Sequence, residues 1–314
     1  MESRGFELQD AGLRQGLLAP SGPLARFEVV TETGSTNADL LAQADFWPDL
    51  GLFVADSQLA GRGRLNRQWN APAGSSLILS LFLRPRSTAG PLPHSSLGWL
   101  SLLAAVALRD TLVNVAGVPA VLKWPNDVLV GGSKVAGILA QLVPAPAGTG
   151  SGRAHVSGAG DAPDPTRVSG PAVVLGIGLN VSQSRAELPV PTATSLALES
   201  ARMLERPVLL ADLVRRFATL YRGFCAGAGS AAAPLDGDAS LLQRTTAAMA
   251  TIGAQVRAEL PGGTELLGRA AGLDSSGSLL ITDAQGTTHT VSAGDVVHLR
   301  RAADSGDWPG VGHA

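Results

Sequence analysis

Cysteine is nearly absent from this 314-residue chain: Cys225 is the single one. A lone cysteine excludes an intramolecular disulfide and a zinc site built on cysteines. The five histidines, at positions 94, 155, 289, 298 and 313, are scattered without ligand spacing, which argues against a histidine metal centre. Aromatic residues make up 4% and charged residues 16% of the chain, yet 45% is hydrophobic, the balance of a globular protein and not of a disordered one. Lys+Arg (24) and Asp+Glu (26) nearly cancel, so no global field draws the chain to nucleic acid or to a membrane. Any anion site must therefore be local. The opening MESRGFELQD carries acidic residues and no apolar core, unlike a signal peptide. The longest apolar run, LGWLSLLAAVAL at 97–108, is too short to span a bilayer, and a cytoplasmic location is expected.

Periodicity divides what remains. Residues 1–25 read as an arm with little pattern. FEVV (27–30), GLFVADSQ (51–58) and SLILSLFLRP (76–85) read as strands, and ADLLAQAD (38–45) as a helix preceded by the N-capping types Ser35, Thr36 and Asn37. A helix pattern from Leu97 to Val115 stops at Gly117 and Pro119. VLVGGSKVAGIL (128–139) is a hairpin signal with Gly-Gly-Ser at its turn. From 144 to 171 the chain turns to Ala, Gly, Pro and Ser, the composition of a flexible insertion between two strands. AVVLGIGLNV (172–181) resumes as a strand buried on both faces, and helices follow from Pro207 and over about 238–249. After Met249 short strands alternate with Gly, Asp and Ser turns, which suits a small β-barrel.

AGRGRLNRQW (60–69) crowds Arg62, Arg64 and Arg67 into a Gly-rich stretch ending in Trp69. Two readings are open for it. One is a solvated basic turn. The other is a loop that wraps phosphates, with glycine allowing close approach and arginine bonding phosphate oxygens in pairs. It is neither a Walker loop nor a dinucleotide-binding fingerprint, because neither spacing occurs.

LKWPNDVLVGGSKVAGIL (122–139) is the second feature. Lys123 and Lys134 lie on neighbouring extended segments, with Asn126 and Asp127 after a proline. Two lysines, an amide and a carboxylate suit a centre that activates a carboxylate on a phosphate, since cations offset the crowding of anions. The ordinary alternative is a turn followed by the polar edge of a hairpin.

GSTN (34–37), SQLAGRGRLNRQW (57–69), KWPND (123–127), SKVAGIL (133–139) and GIGLNV (176–181) stand in the order and approximate spacing of the biotin–protein ligase family, which the chain resembles over roughly 27–302. The resemblance implies an α/β fold: a mixed sheet with helices of the class II aminoacyl-tRNA-synthetase-like, biotinyl/lipoyl-ligase type, then an SH3-like β-barrel that GRAAGLDSSGSLLI resembles. It divides the chain into an arm (1–25), a catalytic domain (26–248) carrying the 144–171 insertion, the barrel (249–302) and a tail (303–314). The implied reaction has two steps. Biotin attacks the α-phosphate of Mg-ATP to give biotinyl-5′-adenylate and pyrophosphate. A lysine of a biotin carboxyl carrier protein, or of the biotinyl domain of another carboxylase, then displaces AMP.

By the same resemblance Ser35, Thr36 and Asn37 meet the ureido ring, with Gln58 beside it. Arg62, Gly63 and Arg64 hold the carboxylate and phosphates, Arg67 adds charge, and Trp69 packs near the adenylate. Lys134 contacts the biotin carboxylate and the α-phosphate and is the first catalytic choice, with Arg64. Lys123 serves the phosphates, and Asp127 orients the incoming lysine or assists the metal, whose ligands stay unassigned. Asn126 and Asn180 are placed at the nucleotide, and Gly137, Gly176 and Gly178 allow close backbone approach.

Two departures stand out. Asn66 replaces a glycine frequent in the family's loop, for which only a quantitative effect is expected, since Asn tolerates positive φ. The N-terminal 26 residues are too few for a helix-turn-helix domain and are not basic, so the expected form is the ligase without DNA binding. A lipoate or octanoate ligase, and a biotin sensor without transfer activity, are the rival readings.

Overall fold

Seven strands whose inward residues are almost all apolar build the main sheet. The computed structural model describes residues 7–64, 67–144, 170–235, 239–260, 263–292 and 295–298. Strands β1 (Arg26–Thr33), β2 (Gly51–Gln58) and β3 (Ser76–Leu83) lead in; a two-residue ribbon, β4 (Arg86–Ser87) and β5 (Gly90–Pro91), follows. Then come β6 (Val121–Lys123), β7 (Asp127–Val130), β8 (Ser133–Leu142) and β9 (Val173–Asn180). Their order is β1-β2-β3-β9-β8-β7-β6, with only the β1–β2 pair parallel. Every residue of β3 is buried, as its apolar run requires. The hairpin between β7 and β8 turns on Gly131 and Gly132, both at positive φ (57° and 82°), which a side chain would oppose. The 144–171 insertion lies almost wholly outside the described residues, as do Asn66 and the tail.

Helices cover both faces. On one side α2 (Thr36–Ala42) packs with Leu40 against Trp47, Phe53, Phe82 and Val174. On the other lie α3 (Trp99–Thr111) and α4 (Arg206–Ala226), with α5 (Leu241–Ala248) behind. Together with its flanking turns, α3 makes a 23-residue stretch, His94–Ala116, long and apolar enough to cross a membrane by length and composition alone. That corrects the shorter run read from the sequence. The stretch is mostly buried inside the protein against α4, α5 and the sheet, the environment of a core helix apolar on nearly every side.

The arm is also more ordered than its sequence pattern. Asp10 accepts a hydrogen bond from the Leu13 amide and caps α1 (Ala11–Leu17), which lies on α4. Leu8, Leu17 and Leu24 are fully buried, each contributing roughly 1.5–3 kcal/mol of burial.

Five antiparallel strands form the small C-terminal domain: β10 (Gln255–Glu259), β11 (Glu265–Leu273), β12 (Leu279–Thr282), β13 (Thr288–Val291) and β14 (Asp295–His298), ordered β13-β12-β11-β10-β14. It docks beside the main sheet through two indoles, those of Trp99 on α3 and Trp124 just after β6: Trp99 Nε1 donates to Ser275 O (2.8 Å) and Trp124 Nε1 to Gly277 O (3.1 Å). The Trp124 amide donates to Thr251 Oγ1, and the Ala250 amide to Leu122 O.

Candidate active site

The turn from β1 into α2 places Ser35, Thr36 and Asn37 at the helix start, where the Ser35 hydroxyl caps the Ala38 amide at 3.5 Å. All three are buried. Gln58, at the end of β2, accepts from the Thr36 amide (2.7 Å) and hydroxyl (3.1 Å) through Oε1. Asn37 turns its amide into the sheet: Nδ2 donates to Leu139 O (3.2 Å) and Gln141 Oε1 (2.7 Å), while Oδ1 accepts from Ser80 (2.6 Å). A Cβ at Gly176 would collide with that Asn37 amide, so the glycine makes room for it.

Past Gln58 the Arg-rich stretch folds back on itself. The Trp69 amide donates to Gly61 O (2.9 Å), and the Gly63 amide to Arg67 O (2.6 Å). Arg62 pairs with Gln68 across this small ribbon. The turn sends Trp69 onto the sheet. A Cβ at Gly178 would lie 2.5 Å from Trp69 Cε2, and one at Gly137 would lie 3.5 Å from Trp69 Cζ3. Close approach of an indole to bare backbone is what Gly178 permits, whereas the distance at Gly137 is ordinary contact. Trp69 Nε1 is buried with no hydrogen-bond partner, an uncompensated donor at the centre of the site.

The hairpin brings the charges together. Lys134 Nζ lies 2.6 Å from Asp127 Oδ1, both partly exposed, and a Cβ at Gly137 would stand 3.1 Å from Nζ. The Lys134 backbone is pinned on its other side, its amide donating to Thr192 O and its carbonyl accepting from the Thr194 amide. Arg64 Nη1 reaches Asn126 Oδ1 at 3.4 Å, and Asn126 Nδ2 donates to Ile138 O at 2.7 Å. Lys123 stands opposite Asp127 in the β6–β7 pairing. Asn180, at the end of β9, is buried and fully engaged, with Nδ2 on Thr194 O and Oδ1 accepting from Gln183. The motif residues thus meet around the end of β2, the start of β8 and Gly178 of β9, with Asn180 tied to the Lys134 backbone through Thr194.

Three groups escaped the sequence reading. Ser80 and Gln141 hold Asn37, and the only signal for Ser80 is a polar residue in the middle of the apolar run SLILSLFL. The turn at 274–278 was legible only as one of the Gly, Asp and Ser turns of the barrel, and nothing in the sequence says that it receives both indoles. A groove of about 690 Å³ lies elsewhere, on the C-terminal domain, bordered by Ile252, Leu267, Arg269, Thr282 and Asp283. None of the candidate catalytic or ligand-binding residues lines it.

The arrangement is a mixed sheet with a basic glycine loop folded over it. Residues 27–152 match the Biotin/lipoate A/B protein ligase family, and residues 251–299 match the Biotin protein ligase C terminal domain. A biotin–[acetyl-CoA-carboxylase] ligase of Mycobacterium tuberculosis is 37% identical over 299 residues, covering 93% of this chain and 96% of that relative. A bifunctional ligase/repressor BirA of Bacillus subtilis is 42% identical over 95 residues, 30% of this chain and 28% of its own. Among solved structures, the Aquifex aeolicus biotin protein ligase in complex with biotin and ATP shares the fold, with a TM-score of 0.63 at 23% identity over 88% of this chain and all of that one. The chain belongs to the biotin protein ligases, and it is an enzyme of the ligase class.

Proposed function

We propose that this chain joins biotin to ATP and passes the biotinyl group to a lysine of a biotin-accepting carboxylase domain. The observation that carries this reading is the meeting of three features at one place: the Thr36–Gln58 pair, the Arg62–Trp69 ribbon and the Lys134–Asp127 pair. In the first step a biotin carboxylate oxygen bonds to the α-phosphorus of ATP while the bond to the β-phosphate oxygen breaks, releasing pyrophosphate. Lys134 offsets the charge that gathers on the α-phosphate oxygens, and Arg62, Arg64, Arg67 and Lys123 hold the phosphates. Ser35, Thr36 and Gln58 face the ureido ring, with Asn37 supporting them from the sheet. Trp69 packs against the adenylate, and Asn126 and Asn180 shape its nucleotide end.

In the second step the acceptor amine, oriented by Asp127, attacks the biotinyl carbonyl, AMP leaves, and the amine loses its proton to solvent. Magnesium fits this site as part of its ATP complex. Among the described residues no three His, Cys, Asp or Glu side chains gather, and a magnesium ion held by one carboxylate and the substrate's phosphates needs no such cage. Asp127 is the carboxylate that would hold it, and magnesium bound there with ATP would neutralise phosphate charge.

Intact-mass analysis of an acceptor domain, incubated with this protein, Mg-ATP and either biotin or lipoate, tests the reading. One biotinyl addition that requires ATP is expected. Lipoyl transfer would mean the ring pocket has been misassigned, and biotin binding without transfer would favour a sensor.

A further inference from the structure

We propose that Ser80 is a positioning residue of the ring-binding end, its hydroxyl holding Thr36 Oγ1 and Asn37 Oδ1 in the places their backbone-fixed neighbours require; this rests on the ligase reading above. Ser80 sits in the middle of β3, fully buried, opposite Phe53 on β2 and Gly176 on β9. Its hydroxyl lies 2.7 Å from Thr36 Oγ1 and 2.6 Å from Asn37 Oδ1.

Backbone atoms remove the ambiguity of both neighbouring amides. Leu139 O can only accept, so the Asn37 end facing it at 3.2 Å is Nδ2, and the end facing Ser80 is Oδ1. Ser80 must therefore donate, sharing one proton between Asn37 and Thr36. The Thr36 amide can only donate, so the Gln58 end facing it at 2.7 Å is Oε1. Gln58 Nε2 is thereby turned toward the Gly61 side, where a Cβ would lie 2.9 Å from it. Thr36 Oγ1 gives its own proton to Gln58 Oε1 at 3.1 Å and accepts from Ser80, which leaves one lone pair open. The result is one acceptor, Thr36 Oγ1, beside one donor, Gln58 Nε2. A cyclic urea presents the matching N–H and C=O.

Removing the Ser80 hydroxyl deprives two buried acceptors of their shared donor at once, and neither Thr36 nor Asn37 is exposed enough for water to replace it. The loss falls on the ring end and not on the phosphate end, where Lys134 and the arginines act. This asymmetry separates positioning from general packing.

The test is steady-state biotin-dependent pyrophosphate release by the full chain carrying Ser80→Ala, Ser80→Cys, Thr36→Val or both Ser80→Ala and Thr36→Val. For Ser80→Ala the KM for biotin should rise about tenfold or more, with the KM for ATP within about twofold of wild type. Ser80→Cys keeps the volume but donates weakly, and should raise the biotin KM severalfold. In the Thr36→Val background, Ser80→Ala should add little. An unchanged biotin KM in either Ser80 variant, equal rises for biotin and ATP, or additive effects in the double variant would each overturn the proposal. If Ser80→Ala does not fold, Ser80→Cys decides. A wild-type chain that releases no biotin-dependent pyrophosphate would instead sink the ligase reading. Calorimetric biotin binding by wild type and Ser80→Cys would then decide the role of Ser80: equal affinities overturn it, and weaker binding by the variant supports it.

Discussion

Lys134 Nζ and Asp127 Oδ1 face each other at 2.6 Å across the β7–β8 hairpin, two residues whose backbones are fixed on opposite strands. The pair is partly exposed, so its share in stability is small, about 1 kcal/mol or less. Under the proposed reaction its value would lie in holding a cation where an α-phosphate is crowded by an incoming carboxylate. Lys134→Ala is accordingly expected to leave the unfolding midpoint nearly unchanged. Biotin-dependent pyrophosphate release should fall on the order of a hundred- to a thousandfold. Equal loss of stability and activity would show that the pair is structural.

Gly178 gives a sharper steric test. A methyl group there would stand 2.5 Å from Trp69 Cε2 and 2.9 Å from Nε1, with strand backbone behind it. Gly178→Ala should lift Trp69 off the sheet, shifting its fluorescence to the red and lowering adenylate formation on the order of tenfold to a hundredfold. The spectral change should vanish in a Trp69→Phe background. A shift that persists there would come from one of the other tryptophans and refute the placement of Trp69.

Much of this site was legible because its chemistry is written locally. Gly131 and Gly132 announce their own turn, and the loop glycines and arginines keep their meaning without a fold around them. The features missed are long-range. Trp124 and Gly277 are 153 residues apart, and nothing in KWPND says that its indole binds a turn of another domain. The seven-residue α1 is too short to be stable alone and exists because Leu17 and its neighbours find α4. Ser80 looks like an interruption of a strand until Asn37 and Thr36 arrive from another element.

Asp274 governs the docking turn and adds a pH dependence. Its Oδ1 accepts from the amides of Ser276 and Ser278 and the Ser276 hydroxyl, shaping the turn whose carbonyls receive Trp99 and Trp124. Burial pushes this carboxyl up, but the hydrogen bonds from Ser276, Ser278 and Gly277 together bring it below its ordinary value of 3.8. A lowered pKa means that the ionised form stabilises the fold above 3.8 and that this contribution is lost as pH falls through the native value. Asp274→Ala should therefore be less stable than wild type by a constant margin from neutral pH down to about 5, and the margin should close in stronger acid. Urea unfolding at a series of pH values measures it; a margin that widens in acid would reverse the sign and refute the role of the carboxylate.

Arg206 and Asp56 make the strictest demand on the core. They form an ion pair at 2.8 Å with side chains only 3% and 5% exposed, and Arg206 Nη1 also donates to Ser76 O at the head of β3. Burial raises the Asp56 carboxyl even against the attraction of Arg206. With Arg206→Met that attraction disappears while the burial stays, so the variant should lose about 3–5 kcal/mol at neutral pH. Acid should narrow the deficit, because a carboxyl raised further binds its proton in the native state and the penalty of ionising it grows only as pH rises. Adding Asp56→Asn should recover part of the loss at pH 7 by removing the stranded charge. If the double variant is no more stable than Arg206→Met alone, then packing of the Arg206 stem and its bond to Ser76, not the charge on Asp56, hold this end of the sheet.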